Sequence, residues 1–193
     1  MAMLYALMAL CLSGTTLAQI ITSGPCPDVQ VQRHFNVSKF SGRWFEQARY
    51  YALYQFRSDC GVFDYNVGEN NTLKVVNTVS SSVTGKEDVF ESEVVIPDRK
   101  QTAKVLLKIP MSPIEGYNNL WVLGTDYNNW AVVFSCNAVC SMNMQYAWIM
   151  TRKRHPDEAT LRKANKVVYR NNLEPAHFLP MEQKGCRKPS REQ

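Results

Sequence analysis

Along residues 42–151 apolar and polar side chains alternate with a period of two, in short runs separated by polar turns. That is the period of a β-strand, whose successive side chains point to opposite faces. Eight strands are predicted, at 42–52, 60–67, 72–80, 88–96, 103–109, 120–125, 130–136 and 144–151. Turn chemistry separates them: Gly68-Glu69-Asn70-Asn71, the polar stretch Ser81–Lys86 with Gly85, Pro97-Asp98, Pro110 with Pro113, and Asp126–Asn129. In the fifth strand Val105, Leu107 and Ile109 alternate with Lys104 and Lys108; on the last, Tyr146, Trp148, Met150 and Arg152 share a parity. Eight strands at regular spacing make an all-β meander, sandwich or closed barrel.

The first strand opens on Gly42-Arg43-Trp44, where a large Trp can plug one end of a barrel and the Gly leaves room for another backbone to pass. Its parity sets Trp44, Glu46, Ala48 and Tyr50 on one face, with Phe45, Gln47, Arg49 and Tyr51 on the other. An inner face mixing aromatic, small and acidic residues fits a cavity better than a dry core. Tyr54 and Phe56 follow in a loop, where they would touch a ligand or fold down as a lid.

After the eighth strand the period changes. Pro156 suits a first helical position, Asp157 and Glu158 favour the positive end of the helix dipole, and Leu161, Ala164 and Val168 form one face. A helix over 156–171 is predicted, packed on the sheet and ended by Asn171-Asn172. Residues 19–39 and the tail 173–193 read as irregular.

Residues 1–18 have the short apolar core and the Thr16-Leu17-Ala18 ending of a secretory signal peptide, and 19–193 then form a single domain. Cleavage leaves the net charge of +5 unchanged, since the leader carries no charged side chain. The basic residues are scattered, as on a solvated surface, with no stripe to read as a nucleic-acid site. No other run is apolar and long enough to cross a membrane. In a secreted chain the sequons at Asn36 and Asn70 are glycosylation sites.

Five cysteines remain after cleavage, Cys26, Cys60, Cys136, Cys140 and Cys186, which implies two disulfides and one residue left over. Spacing leaves all the pairings open. No Cys-x-x-Cys is present, and His34, His155 and His177 stand apart, which argues against a metal site and against Cys/His or Ser/His/Asp catalysis.

Three motifs in order resemble those of the lipocalin family: Gly42-Arg43-Trp44, then Thr125-Asp126-Tyr127 between the sixth and seventh strands, then Arg152 after the last. Within the family the chain resembles the apolipoprotein D-like and insect bilin-binding subgroup. The resemblance implies an eight-stranded antiparallel up-and-down barrel over 42–152, closed at one end, with one C-terminal α-helix on its side. It implies that Gly42, Trp44, Thr125, Asp126, Tyr127 and Arg152 serve the fold. It also implies the disulfides Cys26–Cys136 and Cys60–Cys186, with Cys140 either a buried free thiol, the simpler reading, or a link to a protein partner or second copy.

The function implied is secreted transport of a small hydrophobic molecule, such as a bilin, retinoid, steroid or fatty acid, bound without a required cofactor. An apolipoprotein D-like lipid-handling or stress-protective interaction protein is the alternative. A cavity-cysteine isomerase is third, and the chain is read as a non-enzyme. Strand parity nominates Glu46, Tyr50, Phe63, Tyr65, Phe90, Val105, Leu107, Trp121, Tyr146 and Trp148 as cavity residues.

Overall fold

The structure, a computed structural model, describes residues 20–67, 73–108 and 116–187. The leader 1–18, the sequon at Asn70 and Ile109 lie outside the described residues. Ten strands are described: β1 Ile20–Ser23, β2 Gly42–Arg49, β3 Ser58–Val67, β4 Leu73–Ser81, β5 Glu87–Val95, β6 Lys104–Lys108, β7 Asn118–Thr125, β8 Trp130–Val139, β9 Met142–Thr151 and β10 Leu179–Pro180. Strands β2 to β9 pair in sequence order, all antiparallel, and β9 returns to β2, so the sheet closes into an eight-stranded barrel.

The flanking strands are short and lie where the periodic pattern is silent. β1 pairs with β9 at Met142–Gln145, below the stretch that β9 gives to β2. β10 pairs with β2 at Ala48 and Arg49, beyond the residues that β2 gives to β3. Each covers a sheet edge that closure leaves open.

The main helix, Glu158–Arg170, starts two residues after Pro156. Asp157 is its N-cap and accepts from the Thr160 N–H at 2.7 Å. Ala164, Val167 and Val168 bury its inner face against Leu123, Val132, Phe134 and Ile149 on the outer barrel wall. A second apolar cluster fills the barrel, from Trp44, Phe40 and Phe35 at one end to Tyr146 and Trp148 at the other.

The closed end is built by the motif residues. The short helix α1, Val37–Phe40, is capped by Asn36 Oδ1 and brings the Phe40 ring to 5.0 Å from those of both Trp44 and Tyr65. Trp44 is fully buried, and its indole N–H donates to Phe40 O at 2.8 Å. Gly42 has φ +92, and a Cβ there would stand 3.2 Å from Arg152 Nη1. In the β7–β8 turn, Asp126 Oδ1 accepts from the N–H groups of Asn128, Asn129 and Trp130, and the Thr125 hydroxyl accepts from Tyr127 N at 2.8 Å.

Two disulfides tie the segments outside the barrel to it. Cys26–Cys136 anchors the N-terminal segment to β8, and Cys60–Cys186 anchors the C-terminal segment to β3. They span 110 and 126 residues, long loops whose closure would stabilise the fold by about 4–5 kcal/mol each on chain-entropy grounds. Cys140 is free and exposed, not buried. The reason is local: it occupies the tight β8–β9 turn at φ +53, where the chain reverses in solvent.

Candidate functional site

A cavity lies inside the barrel. Strands β3 to β9 each contribute side chains to it: Phe63 and Tyr65, Asn77, Phe90 and Ser92, Leu107, Leu120, Val133, and Trp148 with Met150. Tyr54 joins them from the segment between β2 and β3, whose one 3₁₀ turn is Leu53–Gln55. The lining is apolar except for Asn77, Ser92 and the tyrosine hydroxyls, and it carries no charged side chain. Burial raises the ionisation of both Tyr54 and Tyr65 well above the ordinary phenol value, so both stay neutral. The cavity volume is about 40 Å³.

Aromatic rings line and back one wall. Tyr146 and Trp148 stack at 6.0 Å with 12° between planes, and Tyr54 stands 6.3 Å from Tyr146. Asn77 Oδ1 is buried without a hydrogen-bond partner. An unmatched acceptor in an apolar wall is costly unless something donates to it.

Behind the Trp148 wall lies a buried polar cluster. Glu46 Oε1 pairs with Arg49 Nη1 at 3.1 Å, and Glu46 Oε2 accepts from Gln55 Nε2 at 3.2 Å. Gln55 Oε1 in turn accepts from Trp148 Nε1 at 3.2 Å. Arg49 Nη2 donates to Gln55 O at 2.7 Å and to Ser58 O at 3.3 Å. Gly61 lies against the carboxylate, where a Cβ would stand 2.9 Å from that of Glu46. Burial pushes Glu46 up to about 7, against the opposing pull of Arg49 and Gln55.

Of the ten residues nominated from parity, Phe63, Tyr65, Phe90, Leu107 and Trp148 line the cavity. Val105 and Tyr146 lie in the barrel core without lining it, and Glu46 sits in the polar cluster. Tyr50 and Trp121 face outward. The register of β2 shifts between Glu46 and Ala48, and this bulge reverses the parity beyond it. Arg49 therefore turns in, and Tyr50 turns out to meet Phe178 at 4.6 Å and donate to Glu174 O. In β7, Leu120 and Val122 point inward, so Trp121 between them packs outside, with Lys104 Nζ 5.2 Å from its ring centroid.

Asn77, Ser92, Leu120, Val133 and Met150 complete the lining. Asn77 shares parity with the buried Val75 and Val79, and a polar residue at an inward position is the signal that identifies it. Phe56, the other aromatic of the mouth segment, is half exposed and lies outside the cavity.

Among the described residues no cluster of His, Cys, Asp or Glu could hold a metal ion, and no helix is long and apolar enough to cross a membrane. The cavity lining contains no cysteine. A closed antiparallel barrel with an apolar internal cavity is the architecture of a small-ligand binder.

The chain belongs to the lipocalin / cytosolic fatty-acid binding protein family, whose model matches residues 41–185. The family binds small hydrophobic ligands. The chain is 28% identical to apolipoprotein D of Macaca fascicularis over 180 residues, which cover 91% of each chain. It is 26% identical to the Lazarillo protein of Schistocerca americana over 162 residues, 82% of this chain and 74% of that one. Among solved structures, insecticyanin from Manduca sexta superposes with a TM-score of 0.74 at 24% identity, covering 86% of this chain and 89% of its own.

Proposed function

We propose that this protein is a secreted, non-catalytic carrier that holds one small hydrophobic molecule non-covalently inside the barrel. The observation that carries this reading is the internal, uncharged, aromatic-rich cavity lined from seven strands and the mouth segment. Removing apolar ligand surface from water supplies the affinity, at about 25 cal/mol per Å². The leader pattern of residues 1–18 and the two disulfides support secretion.

The wall narrows the ligand class. No cation lines the cavity, and both guanidinium nitrogens of Arg49 that reach the cluster are engaged with Glu46, Gln55 and Ser58. A carboxylate buried here would lack a partner. Asn77 Oδ1 calls for a donor. The ligand is therefore a largely apolar molecule with a hydroxyl or N–H on its buried part; any carboxylate it carries stays at the mouth. A retinol-like alcohol or a hydroxysteroid has this chemistry, and so does a bilin with its pyrrole N–H groups inward. The test is a titration followed by tryptophan fluorescence, using retinol and the matching retinoic acid. Tighter binding of the alcohol is expected, and preference for the acid would contradict this ligand class.

The exposure of Cys140 favours a second, compatible role, a disulfide link to a protein partner or second copy. Non-reducing electrophoresis of the protein from its own source tests it: a higher-mass band lost on reduction is expected, and monomer alone counts against it.

A further inference from the structure

The polar groups of the two facing barrel walls are in different states. On β9 they are spent: the Trp148 N–H donates to Gln55 Oε1 at 3.2 Å, and the Tyr146 hydroxyl behind it donates to Met144 Sδ at 3.0 Å. The rest of that side of the cavity, Leu120, Val133 and Met150, is apolar. On β4 and β5 they are open. Asn77 Oδ1 is buried with no partner. Ser92 is 5% exposed, and its hydroxyl has no hydrogen-bond partner among the described residues.

The register brings these two together. Phe63, Asn77 and Phe90 form one cross-strand row on the inner face, and Tyr65, Val75 and Ser92 form the next. Asn77 and Ser92 are therefore diagonal neighbours on paired strands, with Cβ atoms about 7 Å apart. Both line the cavity. Their side chains can then reach two adjacent polar atoms of one bound group, each across a hydrogen bond of about 2.9 Å. Phe63 and Phe90, on either side of Asn77 in its row, offer it no such bond.

We propose that Asn77 and Ser92 form a two-point recognition site for a lactam or primary amide on a flat, neutral ligand: Asn77 Oδ1 accepts the ligand's N–H, and the Ser92 hydroxyl donates to its C=O. The inference rests on the reading of the cavity as the ligand site and narrows the ligand class.

The choice of group follows from geometry and charge. In a lactam or primary amide the N–H and C=O leave from one edge, so one wall can meet both. A trans secondary amide directs them to opposite sides, and an ester or ketone has no donor for Asn77. A carboxylate lacks the donor too, and it would bring a charge into a lining that holds no cation. Of the two donors admitted above, the N–H of an amide brings its acceptor on an adjacent atom, while a hydroxyl has one oxygen to serve both residues. The facing wall sets the shape. β8 and β9 lie four strands away from β4 and β5 around the eight-stranded barrel, and their cross-strand partners Val133 and Trp148 present an apolar surface on which a planar, conjugated ligand can lie.

Fluorescence titration of the full mature chain with three probes that share one carbon skeleton tests this: retinamide, a primary amide; methyl retinoate, which keeps the carbonyl and lacks the donor; and retinol. Wild type is expected to bind retinamide about tenfold tighter than methyl retinoate, because the ester leaves a buried acceptor unmatched. N77L, close in shape, should weaken retinamide about tenfold and methyl retinoate not at all, so that the preference disappears. S92A should weaken both carbonyl ligands about threefold and keep the preference. Circular dichroism confirms that each variant is folded. Equal binding of retinamide and methyl retinoate by wild type, or an N77L protein that keeps the preference, overturns the recognition site alone. If none of the three probes binds, retinol included, the cavity is not the ligand site and the recognition site falls with it.

Discussion

Arg152 lies across the face of Trp44 with its guanidinium carbon 3.7 Å from the ring centroid. The same guanidinium donates to five backbone carbonyls, those of Lys39, Phe40, Ser41, Arg43 and Tyr127. One side chain thus seals the closed end: it covers the plug and satisfies the carbonyls of α1, the start of β2 and the β7–β8 turn. R152A should destabilise the fold by about 3 kcal/mol in urea unfolding, since a cation–π contact and several charge-assisted hydrogen bonds are lost together. R152K keeps the charge but not the planar fork, and should recover less than half of that.

Glu46 makes folding stability depend on pH. Its proton is held more tightly in the folded protein than in the unfolded chain, about 7 against 4.5. Its contribution is therefore fully present below 4.5 and is lost as pH rises through about 7. Relative to E46Q, the wild type should lose roughly 2–3 kcal/mol of stability between pH 5 and pH 9, measured by urea unfolding at each pH. An unchanged difference across that range would contradict the buried, proton-holding carboxyl. G61A at the same place should cost about 2 kcal/mol, because its methyl group occupies the space of the Glu46 side chain.

Asp126 acts in the opposite sense. Partial burial raises its ionisation, but hydrogen bonds from the Asn129 side chain and from the N–H groups of Asn129, Trp130 and Asn128 outweigh this and hold it below the ordinary carboxylate value. Its stabilisation is present above the unfolded aspartate value and is lost as pH falls through the lower, folded one. D126N should cost roughly 1 kcal/mol at pH 7, with the deficit closing under acid conditions where both side chains are neutral. Thermal unfolding of the pair at pH 7 and pH 3 checks this.

Much of the barrel is legible because a strand with one buried face must alternate. The eight barrel strands occur within one or two residues of their predicted bounds at most ends; the exceptions are the first, which stops at Arg49 instead of residue 52, and the seventh, which runs on to Val139 instead of residue 136. β1 and β10 escape notice because four-residue and two-residue pairings are dictated by the edges they cover, not by a period of their own. The bulge at Gln47 is equally silent, and it decides the site: it exchanges Tyr50 for Arg49 on the inner face and so creates the Glu46–Arg49 cluster. Gln55 carries no mark of burial in the sequence, since only the fold of the mouth segment places it between Glu46 and Trp148.

Val133, on β8 opposite Trp148, lies on the cavity wall and is almost fully buried. V133W would fill the small free space. Overpacking should cost about 1–3 kcal/mol. Ligand affinity should fall at least about tenfold in fluorescence titration, equivalent to 1.4 kcal/mol.

Native mass spectrometry of wild type and V133W, each incubated with retinol and with a hydroxysteroid, tests the carrier most directly. Wild type should take up one small molecule per barrel, and V133W, folded by circular dichroism, should take up little or none. If wild type takes up none of either molecule, or if V133W takes up as much as wild type, the barrel interior is not the ligand site and the central claim is wrong.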